Sequence, residues 1–340
     1  MDVIYSKIQQ LHDPQTFIAA GQVKPCPEQP ERAERFLRAI GDLGYPIAEP
    51  GSYPDRKIAA IHSVDYLDFL QNGHARWSAL PNASAEMTPN VHPGRHMGRR
   101  PTHIIGQLGY HTADASCPIG ANTWRAARAG AECALTAADR VLSGAKVAYA
   151  LCRPPGHHAY GDMAGGFCYL NNVAIAAEHA LARGRRPAII DIDVHHGNGT
   201  QGIFDQRSDV FFTSIHGDPD NFYPWFAGFA DDRGTGAGHG YTLNLPLPRG
   251  TGDDHWIETI RHGLDAIRQY GADIILVSLG LDASEADPLQ FLSVTTDGFR
   301  RAGALIAEAA CDTVLVQEGG YLSDQLGQNL AAFLSGYEKA

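Results

Sequence analysis

The sequence predicts an α/β fold: a single open, mainly parallel β-sheet flanked by helices. Two observations carry that expectation. Beyond residue 146, short apolar runs alternate with stretches of helical periodicity, the pattern of βαβ units. Each run also leads into histidines, carboxylates or glycines. In an open parallel sheet the C-terminal strand ends share one edge, where such folds bind ligands.

Residues 1–6 read as a short strand, and Glu31 to Ile40 as a helix opening after Pro30. Ile58 to Leu70 has helical apolar spacing. Pro81 to His103 differs: it is punctuated by Pro and Gly and carries Arg95, Arg99, Arg100, His92, His96 and His103 against one acid, Glu86. A loop this long in a compact protein is usually functional, so 81–120 is read as an insert serving as lid or interface. A small-residue helix follows from Thr123 to about Leu142. The expected strands are Val147–Cys152, Pro187–Ile192, Asp209–Ile215, Asp273–Leu279 and Thr313–Gln317, with helices near 171–183, 254–270, 296–309 and 323–336. No linker or repeat interrupts this pattern, and residues 1–340 are read as one catalytic domain.

Composition narrows the function. With 44% apolar and 19% charged residues the chain can bury a large core. A net charge of −11 argues against a general nucleic-acid binder. Cys26, Cys117, Cys133, Cys152, Cys168 and Cys311 are scattered, with no Cys-x-x-Cys pair, which fits a reducing compartment rather than a disulfide framework. The N-terminus lacks a basic, apolar leader, and no run reaches the ~20 apolar residues of a membrane helix. A cytoplasmic protein without a membrane partner is expected.

The chemistry concentrates in Asp191-Ile192-Asp193-Val194-His195-His196-Gly197-Asn198-Gly199. If the preceding apolar run is a strand, Asp191, Asp193 and His195 share one face. Asp193 and His195 sit where the strand gives way to glycines, and carboxylates beside an imidazole suit a divalent metal. The other runs lead to Pro154-Pro155-Gly156-His157-His158, to Ser214-Ile215-His216, to Gly280-Leu281-Asp282 followed by Asp287, and to Glu318-Gly319-Gly320-Tyr321. Asp193, His195 and Asp282 then supply three ligands and leave a fourth position for water, as a catalytic zinc requires. His157 and His158 are placed to move protons around that water. Asp191 and Asn198 are their partners, each fixing an imidazole tautomer. The two glycines before Tyr321 let its hydroxyl reach a developing oxyanion.

At these residues the chain resembles the zinc-dependent deacetylases of the arginase–deacetylase fold, the histone deacetylase superfamily, and within it the bacterial acetylpolyamine amidohydrolase branch. The resemblance spans about residues 1 to 336. It rests on Arg153 to His158, on Gly166-Phe167-Cys168-Tyr169-Leu170-Asn171-Asn172, on Asp191 to Thr200 and on Glu318 to Tyr321. It implies zinc on Asp193, His195 and Asp282, with iron(II) or cobalt(II) as acceptable substitutes. His158 would be general base and then acid, His157 its electrostatic partner, and Tyr321 the oxyanion donor. It further implies a structural potassium near Asp191, Asp193, His195, Ser214 and Ile215. Gly166, Phe167 and Tyr223 would wall an acyl tunnel, with Leu289 at its rim, and the 81–120 insert would reach a partner subunit in a homodimer.

Two departures stand out. Asn198 occupies a position where many eukaryotic members carry a carboxylate. The segment Pro101 to Gln107 also lacks the acids that members of the polyamine branch can present to distal ammonium groups, leaving Asp114, Glu86, Phe222, Tyr223 and Trp225 as substitutes. The leading expectation is a metal-dependent amidohydrolase acting on small N-acetylated amines, foremost acetylpolyamines. The rivals are a protein acetyl-lysine deacetylase, an amidase for other acyl amides, and a non-catalytic acetyl-amine binding protein. An arginase-like two-metal site is disfavoured because Gly197, Gly280 and Ser284 stand where it needs further carboxylates.

Overall fold

The computed structural model describes all 340 residues. Its centre is an eight-stranded sheet. In chain order the strands are β1 (Asp2–Ile4), the hairpin β2 (Thr16–Ala19) and β3 (Gln22–Pro25), β4 (Ile47–Ala48), β5 (Val147–Ala150), β6 (Pro187–Asp191), β7 (Phe211–Gly217), β8 (Thr242–Leu247), β9 (Ile274–Leu279) and β10 (Asp312–Gln317). The hairpin pairs only with itself, antiparallel. The others form the sheet in the order β4-β1-β5-β10-β9-β6-β7-β8, with every pairing parallel. The five runs named from the sequence are the five adjacent central strands.

Their alternation explains the layering. Tyr149, Ile190, Val277 and Leu315 face one side, packed under α1 (Glu31–Asp42), α7 (Asp253–Tyr270), α8 (Thr296–Ala307) and α9 (Leu326–Lys339). Ala148, Ile189, Leu276 and Val314 face the other, under α4 (Thr123–Leu142) and α5 (Asn172–Leu181). Strands covered on both faces read as continuous apolar runs, as a parallel sheet requires. The many alanines of α4 let it lie close against β5.

Several boundaries differ from the expectation. β6 ends at Asp191, so Asp193 and His195 come from the turn beyond it rather than from one strand face. The helical spacing read from Ile58 begins only at Val64, where Ser63 accepts a hydrogen bond from the Tyr66 amide; α2 runs Val64–Ser78. The 81–120 segment holds a helix of its own, α3 (Ile104–Tyr110), and a bridge between Met87 and Ile119. Ile104, Leu108, Met87 and Ile119 pack with Tyr66 and Phe69 of α2, so the base of the insert is tied down by its own apolar cluster. No helix is long and apolar enough to cross a membrane.

Candidate active site

The loops after β5, β6, β9 and β10 converge. Asp193, His195 and Asp282 are buried, with ligand atoms within 4.8 Å of one another. His195 Nδ1 lies 3.2 Å from Asp193 Oδ1 and 3.1 Å from Asp282 Oδ2. Burial alone would depress this imidazole, but hydrogen bonding to the two carboxylates raises it to about 9. Two buried carboxylates facing one imidazole carry negative charge that a divalent cation would balance. Backbone fixes their orientation: Gly319 N–H donates to Asp193 Oδ2 at 2.8 Å and Val194 N–H to Asp282 Oδ1 at 2.9 Å. A Cβ at Gly319 would lie 2.1 Å from Asp282 Oδ2, and one at Gly280 2.2 Å from Asp193 Oδ2. The donors and their glycine-lined cradle fit a divalent metal.

The two adjacent histidines differ sharply. His157 Nδ1 is 2.9 Å from Asp191 Oδ2, and His158 Nδ1 is 2.6 Å from Asn198 Oδ1. Burial disfavours charge on both. For His157, Asp193 and Asp191 overcome it and lift the ring to about 10. For His158, burial acts together with His157 and His195, and drives it well below its ordinary 6.5. A neutral imidazole beside a cationic one separates the roles of base and electrostatic partner. Their backbone is anchored by Glu318, whose Oε2 accepts from the amides of Gly156 (2.6 Å) and His157 (3.1 Å). Ser214 is buried opposite Asp191 in the β6–β7 register.

His158, His195, Asn198 and Tyr321 open into one cavity of about 690 Å³. Gly166, Phe167, Tyr223 and Leu289 line it. Phe167 has φ +68°, a strained conformation for a bulky residue. Gly166 lets the wall approach His158, since a Cβ there would meet His158 Cδ2 at 2.3 Å. The Tyr223 ring meets His158 edge-on at 5.0 Å. Asp114, Phe222 and Trp225 also line the cavity, but Glu86 does not. Its carboxylate accepts the Gln15 amide at 2.9 Å, so it is no substitute for the missing insert acids.

A histone deacetylase domain model matches residues 26–337. The chain belongs to the histone deacetylase family. A Burkholderia pseudomallei protein named acetylpolyamine amidohydrolase is 46% identical over 97% of this chain and 96% of its own. Acetylpolyamine amidohydrolase 1 of Pseudomonas aeruginosa is 43% identical over 99% of each chain. The crystal structure of acetylpolyamine aminohydrolase from Burkholderia pseudomallei superposes with a TM-score of 0.96 at 45% identity, over 99% of this chain and 98% of that one. The arginase–deacetylase fold follows.

Further buried contacts support the site of this histone deacetylase family member. Arg32 of α1 donates to the carbonyls of Glu318 (2.7 Å) and Gly320 (2.5 Å), and pairs with buried Glu28 at 2.6 Å. Arg153 shares Glu28 at 2.9 Å. Glu28 and Arg32 have the spacing of an ordinary surface pair, so nothing local marked them as buried. Asp287, noted without a role, accepts the Tyr321 amide at 2.8 Å. Asp114 Oδ2 accepts from the Tyr223 hydroxyl (2.5 Å) and the Gly166 amide (3.1 Å), joining two cavity walls. The β2–β3 hairpin contributes Phe17 and Ile18 to the mouth. Its Ala20-Gly21 turn was the available signal.

Proposed function

We propose that this protein hydrolyses the acetyl amide of small N-acetylated amines, with acetylpolyamines as the leading substrates. The observation that carries the reading is the convergence of Asp193, His195 and Asp282 beside His158 in one cavity. The names of the full-length relatives support the substrate class.

Asp193, His195 and Asp282 would hold one divalent metal, zinc foremost, with iron(II) or cobalt(II) as substitutes. When bound, that metal supplies Lewis acidity to the acyl carbonyl and the attacking water. His158 takes the water proton on the ring nitrogen left free by Asn198, and later returns it to the leaving amine. His157, cationic between Asp191 and Asp193, favours the negative charge that builds as water adds. Tyr321 donates its hydroxyl to the developing oxyanion. Gly166, Phe167 and Tyr223 flank the acyl group and exclude water, and Leu289 closes the rim. Asp191 and Ser214, adjacent in register, would hold a structural potassium together with Asp193, His195 and Ile215.

We further propose a single catalytic domain working as a homodimer through the 81–120 insert, whose Val91 and Met97 are exposed. Six unpaired thiols fit the cytoplasm. Comparing kcat/KM on an acetylated polyamine and an acetyl-lysine peptide tests the substrate reading. A clear preference for the polyamine is expected; a preference for the peptide would favour a protein deacetylase.

A further inference from the structure

The short helix α6 (Asn198–Phe204) begins at the residue that holds His158. Asn198 and Gly202 lie one turn apart on the same face of α6, and the Tyr160 side chain runs along that turn. Its ring seats on Gly202, where a Cβ would come within 2.5 Å of ring carbons Cδ1 and Cε1. Its hydroxyl accepts the Asn198 Nδ2–H at 3.0 Å. At the other end of the amide, Oδ1 receives His158 Nδ1 at 2.6 Å. Gly199 lets the helix press onto this segment, since a Cβ there would meet the Ala159 carbonyl oxygen at 2.4 Å.

The identity of residue 198 makes this anchor matter. A carboxylate would hold an imidazole N–H by charge and with either oxygen. A neutral amide holds it only through one correctly placed oxygen, so its orientation must be secured from the far end. The one hydrogen-bond partner of the Asn198 Nδ2 is the Tyr160 hydroxyl, at the border of the same cavity.

Resting on the deacetylase reading above, we propose that Tyr160 is a positioning residue for proton transfer. Acting through Asn198, it keeps the His158 ring aligned with its free nitrogen available to the substrate. Gly202 sets the height of the tyrosine ring, and so the place of its hydroxyl.

The test is steady-state kinetics of zinc-loaded Tyr160→Phe, Gly202→Ala, Asn198→Ala and the Tyr160→Phe/Asn198→Ala double variant on one acetylated diamine. Tyr160→Phe and Gly202→Ala are each expected to lower kcat by about tenfold, with KM within about twofold. The double variant should be no slower than Asn198→Ala alone, because a residue acting only through Asn198 has nothing left to act on. Wild-type kcat in Tyr160→Phe would overturn the proposal. So would a double variant whose loss is the product of the two single losses, which marks an independent structural effect. Failure of the deacetylase reading would look different, as an inactive wild type.

Discussion

The guanidinium carbon of Arg32 lies 4.8 Å from the centre of the Tyr321 ring, beneath the residue proposed to meet the oxyanion. The same side chain holds the carbonyls on either side of Gly319. One arginine of α1 therefore fixes the turn that aims the tyrosine and orients Asp193. Arg32→Ala leaves Glu28 buried with one arginine instead of two. Removing a partner from a buried ionic cluster costs about 3–5 kcal/mol. Urea unfolding should show a loss of that order, together with a fall in kcat; a loss below about 1 kcal/mol would contradict the role.

Glu28 also gives the stability a pH dependence. Burial pushes its carboxyl up, but Arg153, Arg32 and His12 overcome that and hold it below its ordinary 4.5. A depressed folded value stabilises fully above the unfolded one. That contribution is lost as the pH falls through the folded value. Urea midpoints taken from about pH 6 to about pH 3 should therefore fall more steeply for the wild type than for Glu28→Gln. Parallel curves would show that Glu28 contributes no such linkage.

Gly319→Ala is expected to weaken metal binding at the proposed site. The added methyl would overlap both Asp282 Oδ2 and Asp193 Oδ2, at 2.1 and 2.5 Å. Affinity for zinc, read by chelator competition, should fall by tenfold or more, to about the extent seen when a ligand's support is removed. Unchanged affinity would mean that the carboxylates hold no metal there.

Deleting residues 84–100 should convert a dimer into a monomer on gel filtration. The deletion removes Met87 and its bridge to Ile119, while Ile104, Leu108 and Ile119 stay packed against α2. A dimer of unchanged mass would place the interface elsewhere.

Much of this was legible because parallel strands buried on both faces must be apolar, and their ends must carry whatever polar chemistry the fold performs. His157, His158, Asp193, His195, Asp282 and Tyr321 lie together in the structure as the strand ends implied. What escaped was set by contacts distant in sequence. Arg32 reaches the 318–320 turn across the sheet edge, and Asp114 meets Tyr223 from a different loop. β8 was missed because its polar Thr242 and Asn244 are the buried positions, its Leu243 and Leu245 are half-buried, and Pro246 interrupts the run; it is an edge strand, where proline is tolerated. α6 was missed because Gly199 and Gly202 weaken its helical signal. Those glycines admit Ala159 and Tyr160 at close range, so packing overrides propensity there.

The most direct test of the central claim is acetate release from an acetylated diamine by metal-free protein titrated with zinc, run beside Tyr321→Phe. Activity should rise from near zero and level off at about one zinc per chain. The Tyr321→Phe plateau should lie about a hundredfold lower. Full turnover in the chelated protein, or an equal plateau without the tyrosine hydroxyl, would contradict the account.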